Sequence, residues 1–260
     1  MKTVLILGII IAVAAVAAAG YISFSGMLVA NTSAQGTLAT DTNAQETVQA
    51  AISKMAGISE YDVTYNVTNI IEVSPESLTT EGTLRAIRSG TGSRLSAMMQ
   101  APEGQVGDLV LDIYILPDGT FSCSTTFGGV ACERLNGTLP IPDPVAQAAL
   151  LDEFSAQGFV TMQSQGSRTA MRPCNVVRFD YNIAKLIENA SLSADVESGL
   201  KEMSASMCFD SETGIPLEYE TFVRIEDADT SMTSSTSMVV TALELTAPEI
   251  ALPENAFVTT

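Results

Sequence analysis

The first thirty residues, "MKTVLILGIIIAVAAVAAAGYISFSGMLVA", carry a single charge, Lys2, and no other charge follows before Asp41. The apolar run over residues 4–20 continues, slightly diluted, through Tyr21, Ile22, Phe24, Met27, Leu28 and Val29. About 20 apolar residues in a helix span a bilayer, whereas the apolar region of a cleaved signal covers only about 7–15. The length predicts a retained transmembrane helix over residues 1–30, with Lys2 inside and the rest of the chain outside the cell membrane. The small residues 17–20, "AAAG", keep a cleaved signal and a secreted product as the alternative. Residues 31–44 are small and polar without periodicity, which reads as a flexible linker. The folding unit is then residues 45–260.

Export sets the redox conditions for the four cysteines. In "TFSCSTTFGGVACERL" a turn centred between Phe127 and Gly128 puts Cys123 directly opposite Cys132, within disulfide range. Cys174 and Cys208 form the second pair. Setting them directly opposite on antiparallel strands also puts Arg172 opposite Asp210, a cross-strand pair of opposite charge. No Cys-x-x-Cys occurs, so a zinc knuckle or a thioredoxin-like site is not supported. Four N-x-S/T sequons, at Asn31, Asn66, Asn136 and Asn189, are candidate glycosylation sites outside the cell.

Apolar residues make up 46% of the 260, enough to bury a core. The net charge of −18, from 30 acidic and 12 basic residues, argues against nucleic acid and anionic membrane surfaces as partners. There is no histidine. That removes the commonest general base, the Ser-His-Asp and Cys-His nucleophile systems, and histidine-ligated zinc.

The pattern from residue 43 on alternates single helices with groups of strands. Asn43 with Glu46 reads as an N-cap and its acid, followed by Val48, Ala51, Ile52 and Met55 at helical spacing and a stop at Gly57. In "YDVTYNVTNIIEV", Tyr61, Val63, Tyr65 and Val67 alternate with Asp62, Thr64, Asn66 and Thr68, a half-buried strand with Asn66 on its polar side. Strands follow over residues 83–88 and 94–100. A hairpin turning at Pro117-Asp118-Gly119 comes next, then the Cys123/Cys132 hairpin. A helix opens on Asp143 and Pro144 and closes at Gly158. Strands over 159–163 and 169–181, a helical stretch over 182–203 broken near Ser191, and strands over 205–210, 215–226 and 233–246 complete the order. Phe257 in the tail is a candidate docking residue. This is an α+β class chain: a large antiparallel sheet with helices packed on one face.

Nothing along this order assembles a reaction centre. Asp152/Glu153 and Asp227/Asp229 show no fixed catalytic spacing, although a carboxylate pair remains the one route to a hydrolase. "DADTSMTSST" lacks the glycine and terminal glutamate of a calcium loop. "SGTGS" and "FGG" lack the lysine and helix of a phosphate loop. No catalytic, metal or cofactor residue is assigned, and no cofactor is expected. Eleven methionines are present. Met98, Met162, Met171 and Met207, with Phe154, are candidates to line an adaptable apolar cavity, against core filling as the ordinary use of the side chain.

The hairpin "CFDSETGIPLEYE", with its polar "TG-x-P" turn, Pro216, and Leu217, Tyr219 and Val223 in alternation, resembles the late hairpin of the LolA-like and LppX-like lipoprotein-carrier superfamily. The element order over residues 45–257 resembles that superfamily too. The resemblance implies a curved, unclosed half-barrel whose helices plug the concave side, and a cavity for acyl chains. This chain departs from the lipid-anchored members in having no N-terminal acylation cysteine. The resulting expectation is a membrane-tethered extracytoplasmic protein that binds a lipid or other hydrophobic ligand and is not an enzyme. The alternative is a structural or interaction protein of the cell envelope with no small-molecule site, pilin-like or surface-layer-associated. Protein partners are not specified by either reading.

Overall fold

The computed structural model describes residues 41–100, 109–126, 129–135, 144–189, 199–226 and 231–259. The expected anchor and most of the linker, and the sequons at Asn31 and Asn136, lie outside these residues. Among the described residues no helix is long and apolar enough to cross a membrane.

Helix α1 spans Thr42–Ala56. It buries Ala44, Val48, Ala51 and Met55, spaced four, three and four residues apart, so that one stripe faces the sheet. Its N-cap is Asp41 rather than Asn43: the Asp41 carboxylate accepts from the Asn43 amide at 3.0 Å. The reason is tertiary. The Asp41 backbone amide donates to the Met162 carbonyl at 3.0 Å, so the residue before the helix is held against a strand edge. Residues 42–44, expected in the linker, therefore belong to the folded unit.

Six strands follow: β1 (Glu60–Val73), β2 (Glu76–Ser89), β3 (Gly92–Met99), β4 (Leu109–Leu116), β5 (Gly119–Thr126) and β6 (Gly129–Leu135). Helix α2 (Pro144–Ala156) precedes β7 (Val160–Thr169) and β8 (Pro173–Tyr181), and α3 (Ile183–Asn189) precedes β9 (Leu200–Asp210), β10 (Pro216–Glu226) and β11 (Ser231–Glu244). A last short strand, β12, covers Ala256–Thr259.

All twelve strands form one open sheet in the order β12-β6-β5-β4-β3-β2-β1-β11-β10-β9-β8-β7. It consists of two meanders, β1–β6 and β7–β11, joined where β1 pairs with β11. Within each meander consecutive strands pair antiparallel, the shortest way to satisfy their backbone groups. The exception is β12, which runs parallel to β6. The tail thus docks through its backbone, and the Phe257 ring expected to dock is 67% exposed.

Period-two alternation divides the sheet into two faces. The inner face carries Tyr61, Val63 and Tyr65 of β1, Leu84 and Ala86 of β2, Leu95 of β3, Ile113 of β4, and the apolar side chains of β7–β11. These share one buried cluster with α1, with Ala148, Leu151 and Phe154 of α2, and with Leu186 of α3. The helices therefore lie on one face. On the outer face a second cluster gathers Tyr114, Phe121, Cys123 and Cys132, and tail residues Ile250, Leu252 and Ala256 pack over it.

Three expected boundaries moved. Residues 76–82 are strand, doubling β2, because they zip along the lower half of β1 from Val67↔Gly82 to Val73↔Glu76. The β7–β8 turn falls at residues 170–172, so Thr169 ends β7 instead of opening β8. Residues 200–203, expected in a helix, open β9. Leu200 and Met203 pair with Ile225 and Val223 of β10, and this pairing prevails over their helix-like spacing.

Candidate functional site

Both disulfides are formed, Cys123–Cys132 with Cα atoms 4.0 Å apart and Cys174–Cys208 at 5.4 Å. The first pair is directly opposed across β5 and β6. The second is diagonal. Cys174 stands opposite Asp210, and Val176 stands opposite Cys208. The register thus differs by two residues from direct opposition. A shift of two keeps every side chain on its face, and the long β8–β9 connection leaves the register free of any turn constraint. Arg172 still reaches Asp210 at 3.0 Å, from the turn before β8.

Asp210 is almost wholly buried, and its carboxylate is fully engaged. Besides Arg172 it accepts from the Thr213 hydroxyl at 2.6 Å and from the Thr213 and Glu212 amides at 3.3 Å each. Arg172 also holds Glu212 at 2.6 Å. The β9–β10 turn is thereby fixed as a platform for α1: the Lys54 ammonium donates to the Ser211 carbonyl at 2.6 Å. Gly214, at φ +79°, brings its Cα so near α1 that a Cβ there would lie 2.4 Å from the Ala51 carbonyl oxygen. Between α1 and the ends of β7–β9 a polar groove of about 310 Å³ opens, lined by Asn43, Glu46, Ser164 and Asn175 among others. The ionic groups Lys54 and Asp210 that border it are committed to structural bonds. The groove can hold a polar group, and the exposed Glu46 carboxylate stands at its rim.

The inner face is the larger feature. Met162 and Met207 are fully buried there, and Phe154 of α2 meets Phe159 edge-on at 6.2 Å between ring centres. Met98 and Met171 do not join them. Met98 pairs with Thr83 and Val110 on the outer face, since its neighbours Ala97 and Met99 take the inner positions. Met171 sits in the β7–β8 turn, exposed. Met99, Met203 and Met238 are inner-face residues not among the cavity candidates, whereas Tyr219 packs on the inner face as its alternation with Leu217 implies. Their signal was available as strand phase: Met99 is in step with Leu95, and Tyr219 with Leu217.

Among the described elements, α1 and α2 make their main sheet contacts with β7, α1 also with β8 and β9, and α3 with β9. On the other meander, Leu84, Leu95 and Ile113 are buried, Ala97, Met99 and Ile115 are partly buried, and Leu111 is 38% exposed. Arg88 is placed on this same face, opposite Tyr61 on β1 and Ser93 on β3. Of the sequons, Asn66 is exposed on the outer face of β1, and Asn189 ends α3.

No family model matches the chain, and no curated protein matches it. Among solved structures it is similar to a DUF1329 family protein from Desulfovibrio piger, at 9% identity over 83% of this chain and 96% of that one, TM-score 0.31. It is similar to a LolA superfamily protein from Nitrosomonas europaea, at 9% identity over 80% and 94%, TM-score 0.30. A chain of the Pseudomonas aeruginosa MucA/MucB complex matches at 13% identity over 78% of this chain, TM-score 0.35, and this chain spans 58% of that one's length. The superfamily that the late hairpin resembles is thus among the matches. Likenesses this distant carry no argument about ligands or partners.

Proposed function

We propose that this chain is an extracytoplasmic binding protein, tethered to the cell membrane by residues 1–30, that holds a lipid or other hydrophobic ligand against the inner face of its sheet. The observation that carries the reading is the continuity of that face. A single apolar cluster runs from β7 through the β11–β1 seam to β4. It is lined by methionines, which adapt to irregular apolar shapes, and interrupted by the small residues Ala86 and Ala97. The two disulfides support an oxidising compartment.

Native mass spectrometry of the full chain, released from its purification micelle in the gas phase, tests this directly. A population heavier than the bare chain by a lipid-sized mass is expected, and solvent extraction should recover that lipid. A bare mass alone, with a lipid-free extract, would sink the proposal. It would favour the envelope interaction protein, which has its own supporting observation: Met98 and Val110 stand side by side and exposed on the outer face.

A further inference from the structure

Asparagine is depleted in strands, yet Asn66 stands in the middle of β1, the strand that joins the two meanders. Within β1 only Asn66 and Glu72 are exposed, and the outer-face neighbours Asp62, Thr64 and Thr68 are half-buried. Asp62 holds Arg85, and Glu72 accepts from the Thr233 hydroxyl. The Asn66 side-chain amide, by contrast, makes no hydrogen bond to another described residue, and neither does the Thr68 hydroxyl. The cross-strand partner of Asn66 on β11 is Val239, which is 42% exposed. An unbonded amide beside an uncovered valine leaves an open spot at the centre of the outer face.

The sequence supplies a second, independent observation. Asn66, Val67 and Thr68 form an N-x-T sequon. Period-two alternation puts Asn66 and Thr68 on the outer face and sends Val67 into the core. The two side chains that define the sequon are thus the two that the fold leaves unbonded, and its unspecified middle residue is the buried one. Both disulfides fit the oxidising compartment in which such sites are used.

We propose that Asn66 carries an N-linked glycan, attached before β11 closes on β1, whose first sugar covers Val239. The donor is an oligosaccharide activated on a polyprenyl phosphate. The amide nitrogen forms a bond to the anomeric carbon, the bond from that carbon to the phosphate oxygen breaks, the phosphate leaves with the electron pair, and one amide proton passes to solvent. Topology sets the order of events. β2 follows β1 directly and pairs with one side of it, whereas the other side waits for β11, near the far end of the chain. A chain that emerges N-terminus first therefore presents Asn66 on an unpaired strand edge for most of its export. Once the sheet closes, the C–H face of the first ring lies over Val239, and the glycan occupies the outer face and leaves the inner one free. The inference uses export but does not depend on the hydrophobic-ligand reading. The bland alternative is a solvated asparagine in a sequon that arose by chance.

The test is translation of the full chain with endoplasmic-reticulum microsomes, counting glycans by endoglycosidase-sensitive mass. Asn66→Gln and Thr68→Ala should each lose one glycan relative to the wild type, and Thr68→Ser should keep it. Full chain folded first and given to the same membranes opened with detergent should not be modified at Asn66. The glycosylated wild type should melt about 2 °C above Asn66→Gln, the worth of one cross-strand contact in a chain of this size, and Val239→Ser should abolish the difference. An unchanged glycan count in Asn66→Gln overturns the site. Equal modification of the folded chain overturns the order of events, and equal melting temperatures overturn the covering of Val239. A chain left outside the vesicles and open to added protease overturns the export on which the site depends.

Discussion

Gly214 shows how much a single position can decide here. Its φ of +79° lies in the left-handed region that glycine adopts without cost, and its missing side chain lets the β9–β10 turn touch the backbone of α1 at Ala51. Gly214→Ala brings both a backbone penalty and an overlap with main-chain atoms that cannot rotate away. We expect it to destabilise the fold by about 2–4 kcal/mol, read as a lower melting temperature with both disulfides intact. An unchanged melting temperature would mean that α1 backs off the hairpin freely. The turn itself was legible from "SETGIP", because its residue types demand a turn. Its role as a seat for α1 was not, since no local signal reports a contact between residues so far apart along the chain. Arg172 and Asp210 fall between these cases. Opposite charge correctly brought them together, but an ion pair between long side chains tolerates a register shift of two, and the backbone took that shift.

Elements were legible where chemistry alternates and illegible where it does not. Over residues 61–68 of β1 the inner residues are aromatic or branched and the outer ones polar, so both its existence and its phase could be read. The first half of β2, "ESLTTEG", has no such contrast, and only pairing with β1 makes it a strand. Leu200 and Met203 lie three apart, as on a helix, and fall in a strand because β10 offers them partners. The two disulfides act at this scale, and loop length ranks them. Cys174–Cys208 spans 34 residues and ties β8 to β9, whereas Cys123–Cys132 spans 9 within one hairpin. Loop-closure entropy then assigns about 4 kcal/mol to the first and about 2.5 to the second. Replacing both cysteines of a pair by alanine should follow that order in denaturant unfolding. Equal losses, or a larger loss at Cys123–Cys132, would show that local register matters more than chain entropy.

At the scale of the whole molecule, the open sheet leaves two edges, and a chain segment bonds to each. At one, Asp41 bonds to β7 before α1 begins. At the other, the tail crosses the outer face over Tyr114 and Phe121 and then adds β12 alongside β6. The tail's effect can be followed through the Tyr114 phenol. Burial pushes its pKa above the usual value; the positive charge of Arg94 opposes this in part, and Asp112 adds to it. Because the raised pKa belongs to the folded state, the stabilisation it represents is fully present below the unfolded value of about 10. It is lost as pH rises through the folded pKa. The melting temperature should therefore fall as pH rises above about 10, and fall less in Tyr114→Phe, which has no phenol to ionise. Truncation after Leu245 uncovers the ring. Ultraviolet titration, taken as the difference between the truncated chain with and without Tyr114, should then place this phenol nearer the ordinary tyrosine value than in the full chain. If the truncated chain titrates Tyr114 as the full chain does, the sheet alone buries it, and the tail serves only the β6 edge.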